Sequence, residues 1–183
     1  MEYRKTIILK DGRECTIRNA TEKDGQAALE VFILTHEQTD FLFTYPDEND
    51  QTAEQEAQRL KEKTESENEI DILAEIDGKV VGLAGIDSIG TQEKIRHRAE
   101  FGISIDKDYW GLGIGRAMTK ACIECAQKAG YLQLELTVVA DNNKAIALYE
   151  SEGFVEYGRN PRAYHLRSSN FQELLMMRLE LNN

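Results

Sequence analysis

The sequence AEFGISIDKDYWGLGIGRAMTKACIECAQKA, from Ala99 to Ala129, decides the fold. Phe101, Ile103 and Ile105 alternate with Glu100, Gly102 and Ser104, which predicts a strand with one apolar face. Asp106, Lys107 and Asp108 end that strand. Gly111, Gly113 and Gly115 then take every second position, directly before apolar residues recur at helical spacing: Ala117 and Met118, Ala121 and Cys122, Cys125 and Ala126, Ala129. Glycines let a backbone approach a ligand closely, and the first turn of a helix carries unused N–H donors and a partial positive charge. Together they predict a phosphate cradle. The plainer alternative is a turn that happens to precede a helix.

The dinucleotide-binding fingerprint of Rossmann folds wants Gly or Ala three residues after its second glycine. Arg116 or Met118 stands there, depending on which glycines are counted, and a polar turn separates the strand from the glycines. That argues against a Rossmann fold.

Downstream, Leu132, Leu134, Leu136 and Val138 mark a second alternating strand. Asp141 and Asn142 open a short helix to about Ser151. Residues 154–157 predict a strand, 159–170 a basic loop, and 173–181 the last strand. Upstream, 5–9 and 14–18 predict a hairpin around Asp11-Gly12, and 70–76 with 79–87 a second one around Asp77-Gly78. Thr21 with Asp24, and Thr52 with Gln55, read as capping boxes for helices ending near Leu34 and Glu65. Ala27, Ala28, Val31 and Phe32 form the apolar side of the first. No repeat, linker or low-complexity tract interrupts the 183 residues, so a single layered α/β domain is expected over 1–183.

Bulk properties narrow the function. No run of about 18 apolar residues and no secretory leader are present, so no membrane partner and a cytoplasmic location are expected. Three cysteines are compatible with a reducing compartment. Cys122 and Cys125 form C-x-x-C inside the amphipathic helix, on its apolar side, whereas a redox pair needs an exposed helix start. Three scattered histidines give no zinc pattern, and no metal is expected. The net charge of −11 is uneven: residues 40–77 hold thirteen acids against Arg59, Lys61 and Lys63. That segment repels nucleic acid. It is either a solvated helix face or a wall built for a cation.

Two segments carry a family resemblance. YWGLGIGRA, followed by a helix and a strand, and then NNKAIALYESEGF, resemble the GNAT superfamily of acetyl-CoA-dependent N-acyltransferases. The first is similar to that family's cofactor loop, (Arg/Gln)-x-x-Gly-x-(Gly/Ala), through Gly113 and Gly115, with Trp110 standing in place of the usual Arg or Gln. The second is similar to Asn-x-x-Ala-x-x-Leu-Tyr-x-x-x-Gly-Phe through Asn142, Ala145, Leu148, Tyr149, Gly153 and Phe154. The resemblance covers roughly residues 13–180. It implies a mixed, mostly antiparallel sheet with helices on both faces, here with an added N-terminal hairpin. It also implies acetyl transfer from acetyl-CoA to a primary amine by direct attack in a ternary complex, and is compatible with a homodimer.

Acetyl transfer needs a held pyrophosphate, a deprotonated amine, a stabilised oxyanion and a leaving thiolate. The backbone of Gly111, Leu112, Gly113, Ile114, Gly115 and Arg116 meets the first demand. The resemblance implies that Ile103 and Ile105 hold the pantetheine arm through backbone groups, that a backbone N–H there faces the oxyanion, and that Asn142 touches the cofactor. It places Tyr149 as the acid for the thiolate, a phenol of pKa about 10 serving a thiol of about 8.5. Tyr149 read from its spacing alone is a core aromatic, and Asn142 a plain N-cap. An amine of pKa about 10.4 needs a base, and Glu100 is the first candidate, with Glu135 next; Thr137 occupies the position where some relatives carry a glutamate. A non-catalytic acetyl-CoA-binding regulatory module is the competing reading. The charge clusters add an expectation for the acceptor: an acidic wall at 40–77 facing Arg159, Arg162, His165 and Arg167 would suit a zwitterion.

Overall fold

The computed structural model describes residues 1–181. The chain opens with the expected hairpin, β1 (Arg4–Ile8) antiparallel to β2 (Glu14–Asn19). The Asp24 carboxylate accepts the Thr21 N–H at 2.8 Å, and this cap starts a 3-10 turn that runs into α1 (Gly25–Glu37). Thr52 and Gln55 exchange hydrogen bonds of 2.8 and 3.3 Å at the start of α2 (Ala53–Glu65). Asp77 (φ 51°) and Gly78 (φ 79°) supply the two left-handed residues that join β3 (Ile70–Ile76) tightly to β4 (Lys79–Ser88). Then follow β5 (Arg98–Ile105), α3 (Ile114–Lys128), β6 (Gln133–Val139), α4 (Asn143–Ser151), β7 (Val155–His165) and β8 (Phe171–Glu180).

The strands form one eight-stranded sheet in the order β1-β2-β3-β4-β5-β6-β8-β7. Only β5 and β6 run parallel. Strand alternation divides the core between two faces. Ile70, Ile72 and Ala74 of β3 share a cluster with Met118, Ala121, Cys122 and Cys125 of α3, while Leu73 joins Ala28, Val31 and Leu60 of α1 and α2. The three thiols are free and buried, and desolvation pushes Cys122 well above the usual thiol range, as expected of core residues. Among the described residues no helix is long and apolar enough to cross a membrane.

Two expectations are corrected. The basic segment is a loop only at 166–170, because β7 continues to His165 and pairs with the apolar β8 along its length. Its polar residues are tolerated because β7 is the edge strand, and Pro161 falls inside the register irregularity between Asn160 and Tyr164. Leu132 precedes β6 and is 49% exposed, so the apolar face of that strand begins at Leu134.

Phe154 is 2% exposed, with ring centroids 5.9 Å from Tyr149 and 6.4 Å from Phe101. Phe154→Ala is expected to cost about 3–5 kcal/mol of stability. Urea unfolding checks it: the midpoint should fall at unchanged slope, and an unmoved midpoint would show that the cluster carries no such load.

Candidate active site

The sheet comes apart at its centre. β5 and β6 keep three rungs, Arg98 with Gln133, Ala99 with Leu134 and Glu100 with Glu135; beyond them each strand keeps only its outer neighbour. The hydrogen-bond alternation of antiparallel pairs shows which backbone groups this leaves over. Ile89 donates to the Arg98 carbonyl and Asp106 to that of Val81, so the even-numbered residues of β5 bond to β4. Phe101, Ile103 and Ile105 therefore aim N–H and C=O into the gap. By the same logic Ala140 donates to Glu173 and Leu181 to Leu132, which leaves Thr137 and Val139 of β6 facing the gap from the other side. The family resemblance implies backbone roles for Ile103 and Ile105 here; Thr137 and Val139 carry no side-chain signal for one. The Ile105 carbonyl already accepts the indole N–H of Trp110 at 2.8 Å. Thus the residue that departs from the family motif fastens the glycine loop to the strand.

That loop has the shape of a cradle. Gly111 and Gly113 have φ of 80° and 102°, and a Cβ on either would meet nothing within 4 Å. They are needed for their backbone angles, and the space above them is open. The Leu112 carbonyl accepts from Lys10, tying the loop to the turn after β1. Gly113 caps α3, so the N–H groups of Ile114, Gly115 and Arg116 belong to its first turn and lack intrahelical acceptors. Gly115 serves packing as well: a Cβ there would lie 3.3 Å from Leu148 and 3.5 Å from Ile105. The Arg116 side chain is committed elsewhere, to Glu152 at 2.7 Å and Ser151 at 3.0 Å, leaving its backbone for the cradle. Asn142 caps α4, its Oδ1 accepting the Ala145 N–H at 3.3 Å.

Glu100 and Tyr149 flank the fork from opposite faces. Glu100 occupies the last shared rung and is exposed, with no hydrogen bond or ion pair among the described residues. Gly102, next on its face, has open space where a side chain would stand. Tyr149 is 7% exposed and packs edge-to-face on Phe101 at 6.0 Å, one residue along β5 from Glu100 but on the other face. Burial raises its phenol well above the ordinary value, so it stays protonated. Its hydroxyl makes no protein hydrogen bond among the described residues. Glu135, by contrast, is held: Arg98 grips both carboxylate oxygens, Gln133 donates at 2.8 Å and the Tyr157 hydroxyl at 3.1 Å. The Arg98 guanidinium keeps its carboxyl below the usual range, which makes it a poor proton acceptor.

On the Glu100 face a cleft of about 280 Å³ opens between α1, α2 and the sheet, lined in part by Phe32, His36, Phe43, Gly102, Ile103 and Ser104. Charged side chains line it as well. Arg59 bonds Glu56 at 2.7 and 2.9 Å and Asp71 at 2.5 Å, and desolvation raises the Asp71 carboxyl despite that partner. The expected basic wall is largely spent. Arg159 is paired with Glu156 at 2.7 Å, and Arg167 grips Asp47 at 2.8 and 2.9 Å and stacks 4.0 Å from the Tyr45 ring. Arg162 lies over the Phe171 ring at 4.7 Å and has no acidic partner among the described residues.

A forked sheet, a glycine cradle at a helix start, and an acidic cleft across the sheet define the frame of an acyltransferase. Residues 31–154 match the acetyltransferase (GNAT) family, and the chain belongs to it. It is 34% identical over 107 residues to the L-amino acid N-acetyltransferase AaaT of Escherichia coli (strain K12), spanning 58% of this chain and 65% of that one. Over 92 residues it is 36% identical to the ribosomal protein bS18-alanine N-acetyltransferase of the same strain, spanning 50% and 62%. The chain thus matches less than two thirds of the length of either relative. The crystal structure of the acetyltransferase of GNAT family from Streptococcus pneumoniae is 30% identical, with a TM-score of 0.87 over 92% of this chain and 99% of that one.

Proposed function

We propose that the protein moves an acetyl group from acetyl-CoA to the primary amine of a small molecule or peptide, by direct attack within a ternary complex. The observation that carries this reading is the row of backbone groups left without a strand partner, the N–H and C=O of Ile103 and the N–H of Ile105, leading toward the open cradle of Gly111 and Gly113. A long ligand with a phosphate at one end fits that path. Acetyl-CoA, when bound, supplies an activated thioester. The N–H groups from Gly111 to Arg116 hold the pyrophosphate, the gap-facing groups of Ile103, Ile105, Thr137 and Val139 hold the arm, and Asn142, at the start of α4, contacts the cofactor. Glu100 takes the proton of the incoming amine, directly or through water, and Tyr149 gives its own to the departing sulfur. A cytoplasmic site of action agrees with three unpaired buried thiols. A homodimer would cover edge strand β7, where Val155 and Tyr157 are 54% and 45% exposed, and light scattering reads it.

The two relatives act, by name, on L-amino acids and on an alanine of a ribosomal protein, and both substrates present an α-amine. An α-amine acceptor fits an acidic cleft here. A panel of amino acids, alanine-terminated peptides, polyamines and simple amines with acetyl-CoA, followed by free thiol release, tests the activity. Turnover on an α-amine is expected. Tight acetyl-CoA binding with no release on any amine would establish the regulatory module instead.

Of the three arginines of the basic wall, Arg162 is the one without an acidic partner among the described residues. L-Alanine is expected to exceed ethylamine in kcat/KM, with the preference shrinking in Arg162→Ala. Equal rates for the two in wild type would end the zwitterion idea.

A further inference from the structure

The carboxamide of Gln38, the C-cap of α1, reaches across to the turn that follows β5. Its Nε2 donates to Asp106 Oδ1 at 2.9 Å, and its Oε1 accepts the Lys107 N–H at 2.7 Å. A carboxamide is suited to this, because one partner accepts only and the other donates only; an ionised carboxylate could not donate and an ammonium could not accept. Asp106 is 2% exposed and also takes the Asp108 N–H at 3.2 Å and Lys79 at 3.4 Å. Hence Gln38 grips a rigid point.

What lies on each side gives the contact its meaning. Toward the N-terminal half, residues 39–48 leave directly from Gln38. Leu42 and Phe43 line the charged cleft, and Thr39, Asp40, Tyr45 and Glu48 line a second cavity of about 210 Å³ against Ala163, Tyr164 and His165. Their other end is fixed by Arg167 on Asp47. Toward the C-terminal half, the gripped turn leads through Tyr109 and Trp110 into the glycine cradle. One side chain therefore joins the acceptor wall to the cofactor loop, elements that are 68 residues apart in sequence.

We propose that Gln38 is a positioning residue that couples the two halves of the active site: occupancy of the 111–116 cradle tightens the 39–48 wall through it. This rests on the reading that the cradle holds acetyl-CoA. Free energies of coupling between sites commonly correspond to about 5–150-fold.

Amide hydrogen exchange with acetyl-CoA as the only added ligand tests it without knowing the acceptor. In wild type, acetyl-CoA should slow exchange both at 110–117 and at 39–48. In Gln38→Ala the slowing at 110–117 should persist while that at 39–48 drops by at least about fivefold, the low end of typical coupling. Gln38→Asn, one methylene too short to reach both partners, should behave alike. Both variants keep the other bonds of Asp106, and the Lys107 N–H can turn to solvent, so folding should survive; the melting temperature checks this. If 39–48 is not slowed in wild type, or is slowed equally in both variants, the coupling is overturned. If 110–117 is not slowed in wild type, the cofactor assignment itself is overturned and the coupling falls with it.

Discussion

Replacing Gly113 by valine is expected to weaken acetyl-CoA binding by about 10²–10⁴-fold in a protein that still folds. Gly113 has φ 102°, and a Cβ there projects into open space above the cradle. The mutant side chain would stand where a pyrophosphate must approach the N–H groups. Losing two hydrogen bonds to a charged partner removes about 3–6 kcal/mol, and each 1.4 kcal/mol is a factor of ten. The left-handed backbone angle adds strain of about 1–3 kcal/mol to the fold, which a domain of ordinary stability tolerates. Gly102→Ala is the control. It has equal room but lies on the acceptor face, so its affinity should match wild type. Calorimetric titration beside a thermal melt reads both. A folded Gly113→Val protein with unchanged affinity would sink the cradle assignment.

Glu100→Gln and Tyr149→Phe are each expected to slow turnover by about 10²–10⁴-fold, the usual worth of an acid or base, with little change in acetyl-CoA affinity. They should differ in their pH profiles. A general base acts only unprotonated, so the wild-type rate should fall on the acidic side; Glu100→Gln removes that acidic limb along with most of the rate. Tyr149→Phe keeps the acidic limb, because the raised phenol titrates far above the working range. Glu135 offers no substitute while Arg98 holds both its oxygens. Normal turnover by Glu100→Gln would place the base elsewhere.

Much of this architecture was legible in the sequence because it is local. Alternation along Phe101, Ile103 and Ile105 gave the strand, two capping boxes gave α1 and α2, and Asp77-Gly78 gave a turn that only left-handed residues can make. What was not legible is set between distant segments. Polar residues and Pro161 hid the length of β7, since an edge strand is held by its neighbour rather than by its own apolar pattern. The fork of β5 and β6 lives in backbone hydrogen bonds that side chains do not announce. Arg167 reads as part of a basic wall facing the acceptor until Asp47 is seen to occupy it.

Trp110 has a consequence for measurement. It is the only tryptophan of the chain, 37% exposed at the root of the cradle, its indole N–H fixed on the Ile105 carbonyl and the Lys107 ammonium 5.8 Å above its ring. Excited near 295 nm, the protein has a single emitter, and that emitter shares a loop with the groups assigned to the pyrophosphate. Its emission should shift to the blue and change in intensity as the ligand excludes water, giving an optical titration that needs no label.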